Sequence, residues 1–237
     1  MAKLFIIKTG ATMPSLKDQR GDFEDWILAG MEIPAAETEV VDIAADQPLP
    51  EPGSAAGIVI TGSHDMVTDH RDWSERGAGW LLQVVSRGIP TLGVCYGHQL
   101  LAYALGGRVD YNPRGQEMGT TEISLLEPAF NDELLGGLPP TFKAHVCHSQ
   151  SVLRLPQGAV RLAASAWDAN QAFRVDDCAW GVQFHPEFDA HIMRAYAAGE
   201  TLPAGNEIVE APFSARVLKR FALIVSQKQA RAGKTPS

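Results

Sequence analysis

Short apolar runs alternate with longer helical patterns through the first hundred residues, and this alternation restricts the fold more than any other feature of the chain. Leu4–Ile7, Glu39–Ile43, Gly57–Thr61 and Pro90–Val94 are the strand candidates. Between them, Phe23, Trp26 and Ile27 line one helical face, and Trp80, Leu81, Val84 and Val85 line another. Gly88 and Pro90 stop the second of these helices. His98–Leu105 reads as a third helix, ended by Gly106 and Gly107. Strand–helix alternation of this kind implies a mainly parallel sheet covered by helices.

After Gly107 the texture becomes β-rich. Arg108–Tyr111, Gly119–Leu126, Ala144–His148, Arg161–Ser165, Gln171–Val175 and Ala179–Phe184 are short and separated by turn residues, which predicts hairpins with one or two strands returning to the central sheet. Asp189 is placed to cap a short helix bearing Ile192, Met193 and Tyr196. A polar loop from Gly199 to Pro212 follows. Ser214 is then expected to cap a last amphipathic helix with Val217, Leu218, Phe221, Ile224 and Val225 on one face, fraying after Gln229. No repeat or linker divides the chain, so the expectation is a single domain over residues 1–237 with a C-terminal helical extension from about residue 200. With 45% hydrophobic and 20% charged residues, such a domain has apolar surface enough for a sizeable core.

The chemistry begins at Gly93-Val94-Cys95-Tyr96-Gly97, set between a strand (Thr91, Leu92, Val94) and a helix (Leu100, Leu101, Ala104, Leu105). This is a G-x-nucleophile-x-G elbow in the strand–turn–helix context that gives the pattern its meaning. The glycines allow a sharp turn that presents Cys95. The helix N-terminus favours thiolate over thiol, and the Tyr96 N–H can donate to a developing oxyanion. The competing reading is a small core cysteine at a strand end.

A nucleophilic cysteine needs a proton acceptor held by a third group. Gly181-Val182-Gln183-Phe184-His185-Pro186-Glu187 supplies both: His185 closes an apolar strand, and Glu187 lies two positions on, with Pro186 restricting the backbone between them. Alone, a strand-end histidine before a solvated glutamate would be the simpler reading; beside the cysteine elbow, the triad is preferred.

These two motifs carry a resemblance. Gly93-Val94-Cys95-Tyr96-Gly97-His98-Gln99 and Phe184-His185-Pro186-Glu187 resemble the hallmarks of the class I, triad-type glutamine amidotransferases. The likeness extends to Ile60-Thr61-Gly62-Ser63 at the family's oxyanion loop, to Asn112–Gly119, and to His148-Ser149-Gln150-Ser151. It covers roughly residues 40 to 190 and is nearest to stand-alone proteins similar to the amidotransferase half of GMP synthetase. The resemblance implies an open, flavodoxin-like α/β sheet with helices on both faces and an added β-hairpin region. It implies attack of Cys95 on the side-chain amide of glutamine, with His185 as acid and base and Glu187 orienting it. Gly62 and Tyr96 would offer the oxyanion hole, and Gln99, His148 and Ser149 would line the substrate pocket. Gln150 departs from the acidic residue usual in relatives, and the segment from Gly10 to Gly30 is longer than in a minimal amidotransferase.

Other signals bound the function. The net charge of -8 argues against a nucleic-acid or anionic-membrane partner, and Leu4–Ile7 is too short for a signal or spanning segment. Three cysteines cannot all be paired, a count that suits a reducing cytoplasm. His64, Asp65, Asp69, His70 and Asp72 fit no metal-site spacing and read as a solvated loop, so neither a metal nor a cofactor is expected. No phosphate-binding glycine loop or dinucleotide fingerprint is present in the sequence. Three functions follow: a glutaminase passing ammonia to a synthetase subunit in trans, a stand-alone hydrolase of γ-glutamyl peptides, or a catalytically idle regulatory domain. The C-terminal helix offers a face for a homo-oligomer contact.

Overall fold

The computed structural model describes residues 2–198 and 207–232, so residues 199–206 of the expected loop and the last five of the tail lie outside it. Its strands are β1 (Lys3–Lys8), β2 (Thr38–Asp42), β3 (Ala55–Ile60), β4 (Thr91–Val94), β5 (Arg108–Tyr111), β6 (Glu117–Leu125), β7 (Thr141–His148), β8 (Gln150–Arg154), β9 (Val160–Ala164), β10 (Ala172–Val175) and β11 (Ala179–Val182). The helices are α1 (Pro14–Arg20), α2 (Phe23–Met31), α3 (Asp72–Ser86), α4 (Tyr96–Ala104), α5 (Ala190–Tyr196) and α6 (Arg216–Ala232).

Leu4 and Ile6 of β1 enter one apolar core, whereas Phe5 and Ile7 enter another. A strand apolar on both sides must lie between two helical layers, which is the environment of a parallel sheet. β2, β1, β3, β4 and β11 accordingly pair in parallel in that spatial order. β10, β9, β6 and β7 continue the same sheet antiparallel, giving nine strands, while β5 and β8 form a separate antiparallel pair. The β-rich second half is therefore mostly an extension of the central sheet. The parallel strands end together at one edge, and that edge carries the site.

On one face, Ile27 and Met31 of α2 pack with Val217, Leu218, Phe221, Ile224 and Val225 of α6. Two glycines let α6 approach its neighbours: a Cβ at Gly30 of α2 would lie 2.4 Å from Leu218 Cδ1, and one at Gly57 of β3 would lie 2.6 Å from Val225 Cγ2. The apolar face of α6 is thus consumed by the molecule's own core, leaving Leu223 exposed on its outer side. On the other face, α3 and α4 cover Phe5, Ile7, Ile58 and Ile60.

Local details depart from the sequence expectation in places. α1 carries a single buried residue, Leu16, and so shows no periodicity. α6 begins two residues after Ser214, whose hydroxyl donates to the Ala211 carbonyl at 2.8 Å rather than capping the helix, and it runs through to Ala232. Asp189 does cap α5, accepting from the Ile192 N–H at 2.8 Å. Among the described residues no helix is long and apolar enough to cross a membrane.

Candidate active site

One residue separates the end of β4 from the start of α4, and it is Cys95. Its backbone lies at φ 51 and ψ -101, a left-handed conformation that costs a non-glycine residue about 1–3 kcal/mol. The turn is possible because its flanking glycines have no side chains. A Cβ on Gly93 would sit 2.3 Å from the Gly97 carbonyl oxygen, and one on Gly97 would sit 2.5 Å from that of Ile60 in β3. The Cys95 N–H donates to Val182 at 2.9 Å, tying the elbow to β11, and its Sγ lies 3.8 Å from the Cys147 carbonyl oxygen.

Three residues beyond β11, the His185 N–H donates to the His145 carbonyl at 2.8 Å. His185 Nδ1 lies 2.8 Å from Glu187 Oε1, so that nitrogen carries the proton toward the carboxylate and Nε2 is directed to the cleft. Phe188 holds the imidazole from its face, with ring centroids 4.0 Å apart and planes 18° from parallel. Burial opposes a charge on His185. The charges of Glu187 and Cys95, with hydrogen bonds from both, outweigh it and push its pKa up to about 10.

Cys95, Tyr96, Gln99, His148, Ser149 and His185 all line one cleft of about 280 Å³. Gly62 closes its side: a methyl there would be 3.3 Å from His185 Cε1 and 3.9 Å from Cys95 Cβ. The Tyr96 hydroxyl is turned into the core, 2.7 Å from Ser74 Oγ and pushed up to about 12 by burial. Gln99 spends both amide hydrogens on the Gln150 carbonyl (2.8 Å) and Gln183 Oε1 (3.0 Å), which leaves its own oxygen as the atom able to accept from a ligand. His148 is held from both ends, by the Gln150 carbonyl at Nδ1 and Glu117 Oε2 at Nε2, each at 2.9 Å.

Several participants escape sequence reasoning. Glu117 is buried behind His148 and also accepts from Ser165 and Gln171. Phe188 directly follows the F-H-P-E motif, a position from which contact with His185 could have been expected. Phe23, Met13 and Tyr196 also line the cleft; helical periodicity marks Phe23 and Tyr196 as packed faces but assigns none of the three to a site. The Gly10–Gly30 segment contains α1 and most of α2, and its Met13 and Phe23 line the cleft. The segment from His64 to Asp72 disperses its acids and histidines: His64 meets Tyr196, Asp65 meets Arg71, and His70 meets Glu75. Among the described residues no group of three or more His, Cys, Asp or Glu could hold a metal ion.

Comparison with known proteins places the chain in a family. The family described as glutamine amidotransferase class-I matches residues 16–197. A GMP synthase [glutamine-hydrolyzing] of Aeropyrum pernix is 40% identical over 133 residues, covering 56% of this chain and 24% of that protein. Gamma-glutamyl peptidase 4 of Arabidopsis thaliana is 32% identical over 140 residues, covering 58% of this chain and 55% of the relative. The chain thus spans about a quarter of the first relative and about half of the second. A solved glutamine amidotransferase from Methylobacillus flagellatus superposes with a TM-score of 0.72 at 25% identity, covering 98% of this chain and 95% of that one.

Proposed function

Because the chain belongs to the class-I glutamine amidotransferases, a family of enzymes, we propose that it hydrolyses the side-chain amide of glutamine to glutamate and ammonia through a γ-glutamyl thioester on Cys95. The observation that carries this reading is the convergence, in one cleft, of a cysteine held at positive φ and an imidazole bonded to a carboxylate. The Cys95 sulfur attacks the amide carbon, forming the C–S bond. Charge moves to the carbonyl oxygen, where the N–H groups of Gly62 and Tyr96 are the assigned donors, each worth ~10²–10³ in rate. Collapse breaks the C–N bond as His185 Nε2 gives its proton to the departing ammonia. His185 then takes a proton from water, which attacks the thioester; sulfur leaves and glutamate forms.

Glu187 keeps the imidazole in register and stabilises its cation through both half-reactions. Gln99 and Ser149 are assigned to the bound glutamyl group, and His148, with both ring nitrogens engaged by Gln150 and Glu117, is assigned to the wall of its pocket. The ammonia is passed to an acceptor site on a synthetase partner, a reading supported by the similarity to GMP synthase. Hydrolysis of γ-glutamyl peptides is the second reading, motivated by the Arabidopsis relative. Glutamate release from glutamine tests the first. Cys95→Ser is expected to lower kcat by on the order of 10³ or more with the fold intact, and an unchanged rate would remove the assignment.

A further inference from the structure

If the proposed thiolate chemistry holds, His185 decides which side of the cleft the departing amine occupies. Its Nδ1 is committed to Glu187, so the amine must collect its proton from Nε2 and lie on the imidazole side of Cys95. That side is walled by aromatic rings. Seen from Gly62, Phe23 Cε1 is as near as the reacting side chains: a methyl there would lie 3.8 Å from Phe23, against 3.3 Å from His185 and 3.9 Å from Cys95. Phe23 also stacks on Phe188, with centroids 6.3 Å apart and planes 4° from parallel, and Phe188 in turn stacks on His185.

Tyr196 packs on Phe188 at 5.0 Å and extends this wall to the rim. There its hydroxyl joins two distant segments, lying 2.8 Å from Thr12 Oγ1 and 3.2 Å from His64 Nε2. Burial and the nearby charge of His185 hold His64 below its ordinary pKa, so the ring is neutral and can share that bond. The clasp is anchored from behind. The Thr12 N–H donates to Asp22 Oδ1 at 2.8 Å, Lys8 meets Asp22 Oδ2 at 2.7 Å, and Arg20 meets Asp189 at the start of α5 at 2.6 Å.

We infer that Phe23 and the Thr12–Tyr196–His64 clasp determine leaving-group selectivity, admitting ammonia and excluding the larger amines of γ-glutamyl peptides and anilides. The substrate class is then glutamine itself. The inference rests on Cys95 being the nucleophile of the proposed function. The Gly10–Gly30 segment, longer than in a minimal amidotransferase, supplies Thr12 and Phe23 to this wall.

Two variants test it: Phe23→Leu, which shortens the wall, and Tyr196→Phe, which keeps the ring and removes the hydroxyl. Each is assayed with L-glutamine and L-γ-glutamyl-p-nitroanilide, and folding is checked by circular dichroism. The ratio of kcat/KM for anilide over glutamine should rise about tenfold in each variant, the scale of one pocket contact. Even if Phe23→Leu folds poorly, Tyr196→Phe disturbs no apolar packing and stands alone. Ratios within threefold of the wild-type value in every folded variant would overturn the inference. Loss of glutaminase activity in Cys95→Ser with unmoved ratios would sink only the selectivity claim. Activity surviving Cys95→Ser would instead sink the reading beneath it.

Discussion

At Gly97 the absence of one carbon decides whether the nucleophile can be presented at all. A Cβ there would meet the Ile60 carbonyl oxygen at 2.5 Å and Ile60 Cβ at 2.8 Å, both part of a central strand that cannot give way. Gly97→Ala should therefore cost about 1–3 kcal/mol, the usual range for overpacking, and more if β3 is displaced. Urea denaturation measures this, and an unchanged midpoint would show that α4 does not rest on β3 as closely as described. Glu187 acts at the same scale through one hydrogen bond. Glu187→Gln keeps the shape but removes the charge that lifts His185. It should lower kcat by roughly 10²–10⁴ with little change in KM, the pattern expected when a tautomer-holding carboxylate is lost. Steady-state kinetics with glutamine decides it; a change confined to KM would mean Glu187 serves binding instead.

Among the elements, the α1–α2 insertion depends on Asp22. This residue caps α2 in a capping box with Asp25, accepts from the Thr12 N–H, and pairs with Lys8, which is itself buried at 6% exposure. Asp22→Asn keeps much of the cap but leaves Lys8 to Glu24 alone. A loss of about 2–3 kcal/mol follows, below the 3–5 of a fully broken buried pair because one partner remains. Limited proteolysis should then cut within residues 10–30 faster than in the wild type; equal cleavage would show that the insertion is held by other means. The sequence made some of these elements legible and hid others. Leu4–Ile7 and Pro90–Val94 announced themselves because both sides of a central parallel strand are apolar. The elbow and F-H-P-E were legible because the turn and the acid–base pair are local in sequence. α1 was not, since one buried leucine gives no period. Phe23 and Tyr196 reach the cleft, and Glu117 reaches His148 behind it, only through tertiary packing, and no spacing records that. Asn112–Gly119 and His148–Ser151 resemble family stretches in sequence, but the bond joining His148 to Glu117 depends on the pairing of β6 with β7.

Across the whole molecule, we infer that the continuous sheet unfolds as one cooperative unit, and buried histidines then shape its pH dependence. Burial drives His98 and His145 down to about 4. The unfolded chain takes up these protons below its ordinary histidine value near 6.5, whereas the folded chain refuses them until about 4, so stability falls as pH drops through that window. His185 acts in the opposite sense. Its pKa is raised, so its contribution is complete below about 6.5 and is lost as pH climbs toward 10. Thermal unfolding across pH 4–10 should show one transition whose midpoint declines on both sides. His145→Gln should soften the acid decline, and an acid limb unaltered in that variant would refute the assignment.

The central claim is that the Cys95 sulfur forms a bond to the glutamyl carbon, and mass spectrometry of acid-quenched protein tests it most directly. Incubation with glutamine should leave a γ-glutamyl adduct on the Cys95 peptide of the wild type, and none on Cys95→Ala, which should release no glutamate. Glutamate release without any adduct, continuing in Cys95→Ala, would contradict the account.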